Sequence, residues 1–336
     1  VSGSNRVPGG WSRRGVLVAG GLGVLGALTG CGVHLEDDAP RIPFVPTRQP
    51  IADEAALLRA RSRAQELRED AEAADGPPTG LPARLAGLHT EQASTMTALL
   101  QGLGVPLPRH PTTPSSGVPS PRHSTSAVQA RPSKGSTKRR ARVSVLQALA
   151  RAERRDATAQ ALARLSDVSP TNVALLASLA AQHHAAARLL GAEPHRPRLA
   201  GPSRDLAARL LDSARAAVYG FEVITARTPI DGRKAPAATL QALQSLTDTL
   251  ERLAGRSAST PPMAYRLPIR PHDAATRTTL ARHVLAGLSS STAGLLPGAA
   301  GDADALTGLV LVLSDSVVLG RDWGVPLTPF PGLQQP

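Results

Sequence analysis

Prolines and glycines, 30 of each in 336 residues, are gathered between Ala/Leu-rich stretches that carry apolar residues at helical spacing. Proline fixes φ and lacks the N–H that a helix interior needs, so each cluster ends one helix and starts the next. The uninterrupted stretches run over 53–73, 82–103, 143–165, 170–190, 204–227, 236–254, 273–294 and 302–320. Alanine and leucine favour helix. Strands favour aromatic and β-branched residues, and the chain has only two Trp, two Tyr and three Phe. The expected fold class is all-α.

Two longer breaks organise these segments. Residues 104–142 are rich in Pro, Ser and Thr with no apolar period, and read as a disordered basic insertion. GAEPHRPRLAGPS then marks the midpoint. Four helices on each side predict a duplicated pair of four-helix units over 52–192 and 201–333, each an antiparallel four-helix bundle. Ser169 before Pro170 reads as an N-cap with proline at the first helical position. Leu85, Leu88, Thr95, Leu99 and Leu103 form the expected inner stripe of one helix, and Leu206, Leu210, Ala214, Ala217, Phe221 and Ile224 that of another.

The N-terminus has a different pattern. SRRGVL places Arg13 and Arg14 before an apolar, Gly-rich run over 15–30 that ends LTGC at Cys31, the only cysteine. A charged region followed by a short apolar one reads as an export signal over 1–30, and the arginine pair resembles a twin-arginine signal. LTGC resembles a lipobox, so Cys31 is the expected acylation site, with membrane lipid as its partner through a Pro-rich tether over 31–51. The expected location is the outer face of the cell membrane.

A formal charge of +12 suggests nucleic acid until it is located. Residues 111–144 carry seven Lys/Arg and no acid, whereas 32–110 carry eight basic and eleven acidic residues and 201–336 carry thirteen and eleven. The excess therefore belongs to a linker, and no nucleic-acid partner is expected. An envelope protein or an anionic polymer is the expected kind of partner.

Chemistry-bearing residues are sparse. Glu222 and Asp315 stand beside apolar stripes, and with Asp248 and Arg227 they form a candidate buried polar cluster in the second unit. His183-His184 and His89 with Glu91 are the metal candidates, but adjacent histidines on a helix point about 100° apart, so at most one of the pair is expected to face the interior, and His89 and Glu91 sit on different faces. Exposed histidines give adventitious metal affinity at best. The sequence has no Glu-x-x-His, His-Glu-x-x-His, phosphate-binding Gly-rich loop or Gly-x-Ser-x-Gly elbow. No metal site, cofactor or catalytic set is expected.

AAVYGFEVITAR (216–227), PPMAYRLPI (261–269), RDWG (321–324) and FPGL (330–333) occur in an order that resembles a ferritin-like domain of unassigned function in secreted and lipid-anchored actinobacterial proteins. The resemblance covers about 201–333 and implies a ferritin-like bundle without an assigned activity. Members often have a His in the second helix where this chain has Leu243 beside a retained Asp248. The leading expectation is a non-catalytic, lipid-anchored envelope protein with a binding or assembly role. One alternative is a metal-dependent oxidase or peroxide scavenger using Glu222, Asp248, Glu251, Asp315 and His283, and another is a small-ligand binder between the helical units.

Overall fold

The structure is a computed structural model describing residues 48–74, 77–107, 134–192 and 201–334, with side chains from 143 in the third stretch. The export signal with Arg13 and Arg14, Cys31, nearly all of the tether and most of the basic insertion lie outside the described residues. Those described are helical, without a strand: α1 (Glu54–Ala73), α2 (Leu81–Gly102), α3 (Lys134–Arg155), a short α4 (Ala159–Ala163), α5 (Pro170–Leu189), α6 (Arg204–Arg227), α7 (Lys234–Ala254), α8 (Ala274–Ala293) and α9 (Ala303–Asp322). The all-α expectation holds.

Most helix ends fall where the sequence punctuates them. Asp273 accepts from the Thr276 amide at 2.7 Å while Thr276 Oγ1 accepts from the Asp273 amide at 3.0 Å, a reciprocal cap that starts α8. Asp302 accepts from the Ala305 amide at 2.9 Å to start α9. Ser169 occupies the N-cap position of α5, but its side chain does not cap. Asp53, at the start of α1, instead ties this helix end down by accepting from the Ser169 amide and hydroxyl and from Asn172 Nδ2 at 2.9 Å. Burial alone would raise the Asp53 pKa. The Ser169 and Asn172 donors outweigh it and hold the carboxyl below its ordinary value.

The segment expected as one helix over 143–165 is two. α3 begins earlier, at Lys134, inside the expected insertion, and stops at Arg155. Thr158 then caps α4 by accepting from the Ala161 amide at 3.2 Å. The interruption turns Asp156 toward α1 and α5, which matters for the site below.

α6 packs on α7 and α8, α8 on α9, α9 on α5, and α3 on α5, while α1 packs mainly on α2. The core therefore runs through both halves: Leu57, Met96 and Ala177 share one cluster with Phe221, Leu285 and Leu309. The expected division between 52–192 and 201–333 is not a break in packing, and the described residues from Pro50 onward form one compact unit. A Cβ on Gly308 of α9 would lie 2.5 Å from the Gly201 backbone, so the two segments meet at a distance only glycine allows.

All six expected stripe residues of α6 are buried. In α2 only Leu85 and Leu88 of the expected stripe are buried, and Leu103 is exposed. The face that packs continues instead through His89, Gln92, Met96 and Leu100, two of them polar. α9 is the one described helix long and apolar enough to cross a membrane, and most of it is buried in this core.

Candidate functional site

α5 touches α3 on one side and α9 on another, so every residue from Ala177 to Ala187 is buried, including both His183 and His184. The expectation that at most one of the two histidines faces the interior is corrected for that reason: a helix enclosed on several sides has no solvent face. Each polar side chain on it must then find a partner. His184 Nδ1 lies 2.8 Å from Ser314 Oγ of α9, and Ser178 donates to the Pro331 carbonyl at 2.7 Å.

Around His183 and His89 the partners form a chain. Gln92 Nε2 donates to the Pro329 carbonyl at 2.9 Å and to Gln182 Oε1 at 3.2 Å. A carbonyl only accepts, so the Gln92 amide is oriented with Oε1 toward His89. His89 Nδ1 therefore donates to Gln92 Oε1 at 2.8 Å. The opposite ring nitrogen, Nε2, lies 2.8 Å from Glu153 Oε1 with both side chains fully buried, and one proton is held between them. The His183 ring stands edge-on to His89 at 5.5 Å, with Nδ1 3.3 Å from Asp156 Oδ2. Arg63 Nε donates to that same oxygen at 2.8 Å.

Burial would raise the Asp156 pKa, but His183 and Arg63 together hold it below the ordinary carboxylate value. Arg63 is fully engaged, since Nη1 reaches Glu66 at 2.8 Å and Nη2 the Ala152 carbonyl at 2.6 Å. Glu153 Oε2 and His183 Nε2 are buried without a hydrogen-bond partner among the described residues.

This chain ends at a groove. A trough of about 510 Å³ lies between α1, α4 with its following turn, and α5. Its apolar wall includes Ala60, Leu165, Val168, Leu176 and Leu179, and its polar lining includes Asp156 and His183 together with Arg59, Arg63, Glu66 and Arg164. That volume is within the roughly 300–1,000 Å³ of small-molecule sites. A second hollow of about 490 Å³ between α2, Leu175 and the 330–334 segment has Ser94, Thr95 and Gln334 but no charged residue.

The cluster expected in the second half is not assembled. Glu222, Arg227 and Asp248 are exposed. Their helices pack on one face only, and these residues fall outside it. Asp315 is about two fifths exposed and pairs with Arg188 of α5, not with Glu222 or Arg227. Glu251 pairs with Arg215 at 2.8 Å and His283 is exposed, so the donors named for an oxidase site stand apart. Among the described residues, no three His, Cys, Asp or Glu side chains are arranged to hold a metal ion.

RDWG and FPGL serve packing. Trp323 meets Phe221 edge-on at 5.3 Å and donates to Thr239 Oγ1 at 3.1 Å. Phe330 is buried, and Gly332 has φ +74°, where a Cβ would strike the Ser289 backbone. Residues 207–335 match a family described as "Domain of unknown function (DUF4439)". No curated protein and no solved structure matches the chain.

Proposed function

We propose that this is a lipid-anchored binding protein of the cell envelope, held at the outer face of the membrane through Cys31, whose helical domain takes a small molecule with an apolar body into the α1–α5 groove. The observation that carries the binding role is the groove itself, an apolar trough with Asp156, His183 and several charged side chains along it. The location rests on SRRGVL followed by LTGC. Residues 201–333 are read as a ferritin-like four-helix bundle, supported by the ordered motifs and by the packing of α6 on α7 and α8 and of α8 on α9. Its part is to back the site, because α9 packs on α5, the helix that contributes His183.

One set of preparations tests both halves of this proposal. Wild type, Cys31→Ser and Ala60→Phe chains are expressed with the signal intact, fractionated, and titrated with the neutral apolar dye Nile red. Wild type is expected in washed membranes, and Cys31→Ser in the soluble exported fraction, because the acyl chains are the main attachment. Both should bind the dye saturably. Ala60→Phe, which fills the trough from α1, should stay on the membrane and lose the dye. Retention of Cys31→Ser by washed membranes refutes the anchor, and unchanged dye binding by Ala60→Phe refutes the groove.

A further inference from the structure

Charge around the groove is unevenly satisfied. The acids that line it, Glu66 and Asp156, are both taken by Arg63, whose three guanidinium nitrogens are all engaged. Two other lining arginines, Arg59 of α1 and Arg164 of the turn after α4, are exposed, and their side chains make no hydrogen bond or ion pair with any described residue. The groove thus has two uncommitted cations and no uncommitted acid.

The shape of the trough narrows the apolar part of the ligand. Its wall is built from Ala, Leu and Val, with no Phe, Tyr or Trp. A planar ring or a nucleobase finds no Phe, Tyr or Trp face to stack on, and His183, the one aromatic ring of the lining, is itself buried. A flexible alkyl chain needs none, since its burial gains by area alone.

Resting on the groove as a ligand site, we infer that its ligand is a single-chain amphiphile with an anionic head, the alkyl tail lying in the α1–α5 trough and the carboxylate or phosphate head received by Arg59 and Arg164. A guanidinium binds either head through two parallel N–H bonds. A neutral head leaves both arginines to water, and a cationic head is repelled by them. A protein tethered to a bilayer has such molecules next to it, as free fatty acids or as monoacyl phospholipids.

The test uses the mature chain in its Cys31→Ser form, titrated with hexadecanoate, hexadecyl phosphate, hexadecanol and hexadecyltrimethylammonium below their aggregation limits, with Nile red displacement as readout. At least one anion is expected to bind about tenfold or more tightly than hexadecanol. Arg59→Gln with Arg164→Gln should remove that advantage and leave hexadecanol unchanged. Salt should weaken the anion in wild type and not in the double variant, because the two cations are exposed. Shortening the tail by two methylenes should weaken binding on the order of tenfold. Which anion wins separates a carboxylate from a phosphate head.

Equal binding of anion, alcohol and ammonium, all blocked by Ala60→Phe, overturns the anionic head and leaves the groove standing. So does Nile red binding that no alkyl probe displaces. Loss of the anion advantage in Ala60→Phe alone, with the arginine pair irrelevant, also overturns it. Absence of dye binding in wild type removes the groove and this inference together.

Discussion

α5 and α6 are of similar length and both alanine-rich, yet they bury their residues in opposite ways. α6 sets one apolar stripe against the core and leaves Glu222 and Arg227 in water. α5 is enclosed from Ala177 to Ala187, so that Ser178, Gln182, His183 and His184 go inside with the alanines. The difference lies in position and not in composition. A helix at the edge of the molecule sorts polar from apolar by its own period. A helix at the centre has no outer face, and its polar groups are tolerated only where other helices bring partners.

The strongest test of that contrast is His89→Ala. His89 provides the only hydrogen bond that the Glu153 side chain makes among the described residues, and both side chains are fully buried. Removing the imidazole leaves a buried carboxylate without a partner, at a cost of about 3–5 kcal/mol. Denaturant melts of the mature chain measure it. Replacing both partners together, His89→Leu with Glu153→Met, should recover much of the loss, because the cost belongs to the orphaned charge. A single variant that melts within about 1 kcal/mol of wild type would show that the pair is not buried as described.

A smaller effect follows from Asp156, whose carboxyl is held below its ordinary value by His183 and Arg63 against the pull of burial. The folded state binds this proton less readily than the unfolded chain. Its contribution is therefore present in full above the ordinary carboxylate pKa and is lost as pH falls through that value toward the lower folded one. Asp156→Asn should destabilise by about 1–3 kcal/mol at neutral pH. The gap between variant and wild type should hold down to about pH 5 and close below it. Urea melts from pH 7 to pH 3 read this directly, and a gap that widens in acid would reverse the assignment.

Sequence period located the helices and the whole inner stripe of α6, because at the edge of the molecule period and burial agree. It failed in α2 after Leu88, where the packed face continues through His89 and Gln92 and a hydrophobic count goes astray. The polar chain was out of reach for the same reason. His89, Glu153 and His183 come from three helices, and nothing in one sequence pairs a histidine with a glutamate 64 positions later. One signal was present: His183 and His184 stand in a run of alanines and leucines with almost no charge, which is the composition of a helix buried all round. Glu222 and Asp315 have apolar neighbours in sequence, but neighbours in sequence on a helix point to other faces.

The smallest expected effect is the most direct check on the edge half of the comparison. Glu222 and Asp248 are exposed, and neither side chain makes a hydrogen bond or ion pair with a described residue. Their replacement by alanine removes no buried contact and exposes no unpaired group, and alanine is the better helix former at both positions. Glu222→Ala and Asp248→Ala should each melt within about 0.5 kcal/mol of wild type. Asp315→Ala should fall between these and His89→Ala, near 1 kcal/mol, because its partner Arg188 is mostly buried while the carboxylate itself is partly in water. A loss of several kcal/mol at Glu222 or Asp248 would mean that a partner outside the described residues covers that face. The second half would then hold a polar site of its own, and the contrast between centre and edge would no longer explain where this chain keeps its charges.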